Sequence, residues 1–129
     1  MSGASKILYN IMMSRGRGLS MGVMVAGTDK TGTRLFYLDN DGTRLEGDVF
    51  AVGSGGTYAL GVIDANRRPD MSQEEAIELG KRAIYHATHR DSGSGGVVRV
   101  YHIHKDGWTK DIDGMDVNML HWKFKDERK

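Results

Sequence analysis

Two glycine-closed turns constrain this chain more than any other feature. Thr28-Asp29-Lys30-Thr31-Gly32 separates an extended apolar segment at 19–26 from one at 33–39, and Asn40-Asp41-Gly42 separates the latter from 43–52. Thr-Gly and Asp-Gly between apolar runs is hairpin chemistry, because glycine takes the positive φ such turns require. Three strands joined so tightly read as an antiparallel meander.

Helical periodicity flanks that meander. Ala4, Ile7, Leu8, Ile11 and Met12 give an amphipathic helix over 3–14, stopped by Gly16 and Gly18. After a break at Val52-Gly53-Ser54-Gly55-Gly56, the residues Tyr58, Leu60, Val62 and Ile63 indicate a short buried helix. Arg67-Arg68-Pro69-Asp70 is a surface turn. Ser72 and Glu75 then form a capping box, in which each side chain satisfies an orphan amide of the first turn. The helix they open carries Ala76, Leu79, Ala83, Ile84 and Ala87 as its apolar stripe. Glu78 and Arg82 are expected to pair at i,i+4, and His89 and Arg90 lie at the end favoured by the dipole. The loop 91–96 leads to a strand at Val97–His104, a turn at Asp106-Gly107 and a returning strand at 108–110. Val117, Leu120 and Phe124 mark a terminal helix. Strands and helices in separate runs predict an α+β fold rather than a parallel βαβ sheet. With no repeat and no long linker, residues 1–129 read as a single partial domain.

Composition excludes several function classes. The 18 basic and 17 acidic residues leave a net charge of +1, so no broad field points to nucleic acid or a membrane. Cysteine is absent, which removes disulfides and thiolate metal sites. Residues 1–13 lack the apolar core of a signal peptide, and no stretch approaches the roughly 20 apolar residues of a membrane span. The expectation is a soluble intracellular protein.

Few residues could carry chemistry. Ser54 and Ser94 sit in glycine-rich turns, but Val52 and Ser92 occupy the first glycine's place of a G-x-S-x-G elbow. Ser54 could equally cap the helix that begins near Gly56. No lysine follows the Gly-Ser-Gly-Gly run as in a P-loop. Asp91 and Ser94, three apart past a helix end, could converge as a proton-relay pair, or Asp91 could simply start an Asx-turn. His86 and His89 lie one helical turn apart, and His102 and His104 share a strand face, yet no cysteine or well-placed carboxylate completes a zinc set. No metal or other cofactor is called for. Met12, Met13, Met21 and Met24 read as core filler.

Several stretches occurring in order are more specific. They are Ala4-Ser5-Lys6-Ile7-Leu8, Gly18-Leu19-Ser20-Met21-Gly22, Phe36-Tyr37-Leu38-Asp39, Gly42-Thr43-Arg44-Leu45 and Val52-Gly53-Ser54-Gly55. Lys81-Arg82-Ala83-Ile84, Arg90-Asp91 with Ser94-Gly95-Gly96, and Tyr101-His102 with Asp106-Gly107-Trp108 follow. This series resembles the C-terminal portion of eukaryotic proteasome beta subunits, closest to the chymotrypsin-like type-5 class, and leaves only the charged tail unassigned.

The resemblance implies part of the αββα sandwich of N-terminal nucleophile hydrolases, without its first strands and helix. It implies a subunit of the proteasome core, partnered by other alpha and beta subunits in the cytoplasm and nucleus, that degrades protein by threonine-type endopeptidase chemistry. The family's nucleophilic threonine, its aspartate and lysine, and its oxyanion glycine lie upstream of the matched region, so the chain alone is expected to be inactive. Ser54, Asp91 and Ser94 correspond to the supporting residues that hydrogen-bond around the threonine's amine. Between them Ser92-Gly93 stands where the type-5 pattern has Ala-Tyr. Removal of Met1 would expose Ser2, but Ser2 opens a helix where the family nucleophile opens a strand. The competing expectation is a non-catalytic structural or assembly module that keeps the ring-packing surfaces.

Overall fold

The computed structural model describes residues 1–14 and 19–126; the expected helix stop at Gly16 and Gly18 lies outside them. The order of elements is that read from the sequence, and the fold is mixed α+β: α1 (Ser2–Ser14), β1 (Gly22–Asp29), β2 (Gly32–Asp39), β3 (Arg44–Glu46), α2 (Gly56–Asn66), α3 (Gln73–Arg90), β4 (Val97–His104), β5 (Gly107–Asp116) and α4 (Val117–Asp126). The chain divides into two compact units, Met1–Val52 with Ile103–Thr109, and Gly53–His102 with Lys110–Lys129.

In the first unit β1, β2 and β3 form the antiparallel meander. The first turn is tighter than its sequence signal. Thr28 already pairs with Thr33 and Asp29 with Gly32, so only Lys30 and Thr31 cross over. The Asp29 carboxylate accepts the Thr31 amide at 2.8 Å and its hydroxyl at 2.6 Å, while Gly32 takes φ +111°. At the second turn Gly42 takes φ +95°, and the Asp39 carboxylate accepts the amides of Asp41 and Thr43, both at 3.0 Å. Each turn is thus closed by an aspartate at its entry and a glycine that alone tolerates the backbone.

The expected third strand, 43–52, is only three residues long. Gly47 donates the last ladder bond to the Leu35 carbonyl at 3.1 Å. The chain then folds back, and a Cβ at Gly47 would lie 2.9 Å from the Phe50 ring. Phe50 instead packs against Tyr37, with ring centroids 5.8 Å apart.

Helix α1 packs on this sheet with Met12 buried against Phe36 and Leu38, joined by Leu8, Tyr9 and Met13. Arg44 fastens it, donating to Ser5 Oγ at 2.9 Å and to the Ser2 carbonyl at 3.0 Å. Leu8 and Met12 of the expected stripe are covered, but the rest of it is not. Ile7 and Ile11 are 63% and 46% exposed, and Ala4 is exposed, because the helix carries two apolar stripes and the sheet covers the one running through Ser5, Leu8 and Met12. Met21 and Met24 are likewise exposed rather than core.

In the second unit Tyr85, Val98, Leu120 and Phe124 form the core. Helix α3 opens with the capping box: Ser72 Oγ accepts from Glu75 N at 3.2 Å, and the Glu75 carboxylate accepts from Ser72 N at 2.8 Å. Its buried residues are Lys81, Ala83, Tyr85 and Ala87, whereas Ala76 and Ile84 from the expected stripe are exposed. Glu78 forms ion pairs with Lys81 and, at 2.6 Å, with Lys123 of α4. Arg82 lies over the Phe124 ring. Helix α2 is less buried than expected, with Ala59 its one buried residue and Tyr58 and Leu60 exposed. Strand β5 runs to Asp116, well past the expected 108–110. Its charged residues are poor strand formers, but Lys110 and Arg99 both pair with Asp113 along it.

No helix among the described residues is long and apolar enough to cross a membrane.

Candidate functional site

Ser54, Asp91 and Ser94 come together within the second unit. Ser54 stands in the turn before α2; Asp91 follows α3 as its C-cap, with φ −99° and ψ 118°. Both approach because helices run out there: the α3 terminus leaves Asp91 N donating to the Ala87 carbonyl at 2.8 Å, and Ser94 N folds back to the Asp91 carbonyl at 3.1 Å. The hydroxyls of Ser54 and Ser94 both donate to Asp91 Oδ2, each at 2.6 Å. Asp91 Oδ1 accepts the Gly93 amide at 3.3 Å.

The contacts expected at Asp91 are both present, the approach of Ser94 and the Asx-turn. Oδ1 closes an Asx-turn, and Oδ2 gathers one hydroxyl from its own loop and one from Ser54, 37 residues earlier. Ser54 makes no cap: the N-cap of α2 is Gly55, which has no side-chain cap bond.

Hydrogen bonds from Ser54, then Ser94, then the Gly93 amide hold the Asp91 carboxyl below its ordinary value of 3.8, against a smaller opposing effect of desolvation. The group is ionised at neutral pH and acts as an acceptor, so the arrangement can fix hydroxyl orientations and hold a nearby cationic or donating group. Ser54 is exposed and Asp91 and Ser94 half-buried, which leaves the carboxylate within reach of solvent.

The remaining candidates are occupied otherwise. Ser2 is the first residue of α1, and its hydroxyl accepts from Arg44 at 3.1 Å, with no base beside it in this contact. His86 and His89 border the Tyr85 ring, and the Tyr85 hydroxyl lies 2.9 Å from His121 Nδ1. His104 Nδ1 accepts the Asp106 amide at 3.2 Å. Among the described residues no group of three or more His, Cys, Asp or Glu could hold a metal ion. A cavity of about 540 Å³ in the first unit is lined by Thr33, Arg34, Leu35, Glu46, Gly47 and Asp48. Its Arg34 and Glu46 neutralise each other through two 2.6 Å bonds.

Sequence reasoning passed over the small residues that make room for the site. Gly55 and Ala87 are both buried beside it. The only sequence signal was their size, which is common to turns and helix stripes alike.

Comparison with known proteins supplies the wider setting. The model of the family described as "Proteasome subunit" matches residues 2–103. The chain is 59% identical over 122 residues to proteasome subunit beta type-5 of Dictyostelium discoideum, which covers 94% of this chain and 44% of the relative. It is 57% identical over 124 residues to proteasome subunit beta type-5-A of Arabidopsis thaliana, covering 95% and 45%. It is 54% identical over 126 residues to human proteasome subunit beta type-8, covering 97% and 45%. The chain thus spans less than half the length of the curated relatives it matches.

Proposed function

The chain belongs to the proteasome subunit family, and from that premise we propose that it serves as a beta-type subunit, or part of one, in the proteasome core, contributing to threonine-type proteolysis. The observation that carries this reading is the convergence of Ser54 and Ser94 on Asp91 Oδ2. In the family the attacking group is a threonine hydroxyl whose own amine takes the proton, a recognised way to activate a weak nucleophile. The role we assign to Ser54, Asp91 and Ser94 is to hold that amine and a neighbouring water through hydrogen bonds. An ionised Asp91 favours the ammonium formed when the amine accepts the threonine's proton, because an opposite charge nearby stabilises the charged form. The Gly93 amide and the two serine hydroxyls keep the carboxylate in one orientation, so no reorganisation is needed as charge develops.

The partners implied are other alpha and beta subunits, and the location is that of the particle, cytoplasm and nucleus. A second reading, a structural or assembly module, draws support from the open apolar side of α1, where Ile7 and Ile11, one helical turn apart, are 63% and 46% exposed. Isolation of the tagged chain from cells tests the common ground of both. We expect alpha-type and beta-type proteasome subunits to co-purify with it in a high-mass fraction. A chain abundant in cells but absent from that fraction would defeat both readings.

A further inference from the structure

The turn before α2 and the end of α3 approach too closely for side chains on both. Gly55 is buried, and a Cβ there would lie 2.8 Å from Ser94 Oγ, 3.0 Å from Ala87 Cβ and 3.3 Å from Asp91 Oδ2. Gly61, within α2, has nothing within 4 Å of the equivalent position. The backbone at Gly55, φ −85° and ψ 2°, has the negative φ that residues with side chains adopt in turns, so a left-handed conformation does not explain a glycine here. Space does.

We propose that Gly55 is a positioning residue for the Ser54–Asp91–Ser94 constellation, its missing side chain allowing both hydroxyls to reach one carboxylate oxygen. The functional weight of this inference rests on the reading given above; its geometric content does not. Ala87 faces Gly55 with the smallest side chain a helix can carry, and enlarging either residue has two outlets. The Ser94 hydroxyl can turn to another staggered position, which breaks its 2.6 Å bond to Asp91. Alternatively the first turn of α2 moves off Ala87 and carries Ser54 away from Asp91. In both cases the carboxylate loses a hydroxyl donor while the surrounding helices persist.

The test follows the titration of the Asp91 carboxyl carbon by NMR in the 129-residue chain, with overall stability measured in parallel. Gly55→Ala is expected to raise the Asp91 midpoint by roughly half a pH unit or more, as loss of a hydrogen bond to the charged form does. Gly61→Ala leaves it unchanged. This readout is needed because alanine is a poor N-cap and costs some stability wherever it replaces a capping glycine. Should Gly55→Ala fail to fold, Ala87→Val enlarges the same contact without adding a hydrogen-bond donor and is expected to raise the midpoint too. An Asp91 midpoint unmoved in the folded variant overturns the proposal. The titration requires no partner subunit. A Gly55-dependent midpoint in a chain that never joins a proteasome would uphold the positioning role and defeat the functional reading alone.

Discussion

Ser54 Oγ donates to Asp91 Oδ2 at 2.6 Å, reaching the same oxygen that accepts Ser94. The other oxygen of that carboxylate is given to the Gly93 amide. One side chain therefore shapes its own loop and ties that loop to a turn 37 residues earlier. Local structure and chemistry at this site cannot be altered independently through Asp91.

The Asp91 carboxyl is held below 3.8 in the folded chain, so it contributes stability at higher pH that is lost as pH falls through its folded value. Asp91→Asn should accordingly lower the urea midpoint at neutral pH. The gap between the variant and the natural chain should narrow progressively as pH falls from neutrality through the folded value of Asp91, where the natural residue also loses its charge. Urea titrations across a series of pH values from neutral into acid check this, and an undiminished gap in acid would contradict it.

Neither serine at this site is expected to act as a nucleophile in the 129-residue polypeptide alone. Each donates to a carboxylate whose depressed pKa makes it a poor base for a hydroxyl. The polypeptide should turn over no chymotryptic fluorogenic peptide. Turnover abolished by Ser54→Ala or Ser94→Ala would overturn that expectation.

The order of elements was legible because turn chemistry and periodicity are local. Asp29 and Gly32, Asp39 and Gly42, and Ser72 with Glu75 each act within a few residues of themselves. Which apolar face is covered is not a local property. Ala4, Ile7 and Ile11 have sound helical spacing, yet the sheet takes the neighbouring stripe, since Arg44 grips Ser2 and Ser5 on that side. The extent of 43–52 was misjudged for the same reason, as its end depends on Phe50 folding back over Gly47. At the site, the pairing of Asp91 with Ser94 was readable from their spacing. The 37-residue link to Ser54 rested on the family resemblance, and the clearance provided by Gly55 needed coordinates.

Two substitutions on the first unit separate the covered face from the open one. Leu38 is fully buried, and Leu38→Ala should cost about 2–5 kcal/mol, a large share of a typical domain's stability. Ile7→Ala on the free chain should change stability by no more than about 0.5 kcal/mol, as an exposed residue does. Chemical denaturation measures both. A large loss for Ile7→Ala would mean that its side of α1 is covered in solution.

Ser72→Ala removes one half of the α3 capping box and leaves the Glu75 amide without its acceptor. A loss of about 0.5–2 kcal/mol is expected, with Ser72→Asp retaining most of the stability. Equal losses for alanine and aspartate would show that the cap contributes little.

The central claim, that Asp91 with its two serines supports threonine-type proteolysis, is tested most directly in the particle itself. Proteasomes isolated through the tagged chain would be assayed for chymotryptic peptide turnover with the natural sequence and with Asp91→Asn, after confirming equal incorporation. A fall in kcat of roughly 100-fold or more is expected, the scale on which a preorganised group facing a developing charge acts. Unchanged turnover in equally assembled particles would contradict the claim and leave the chain a structural role.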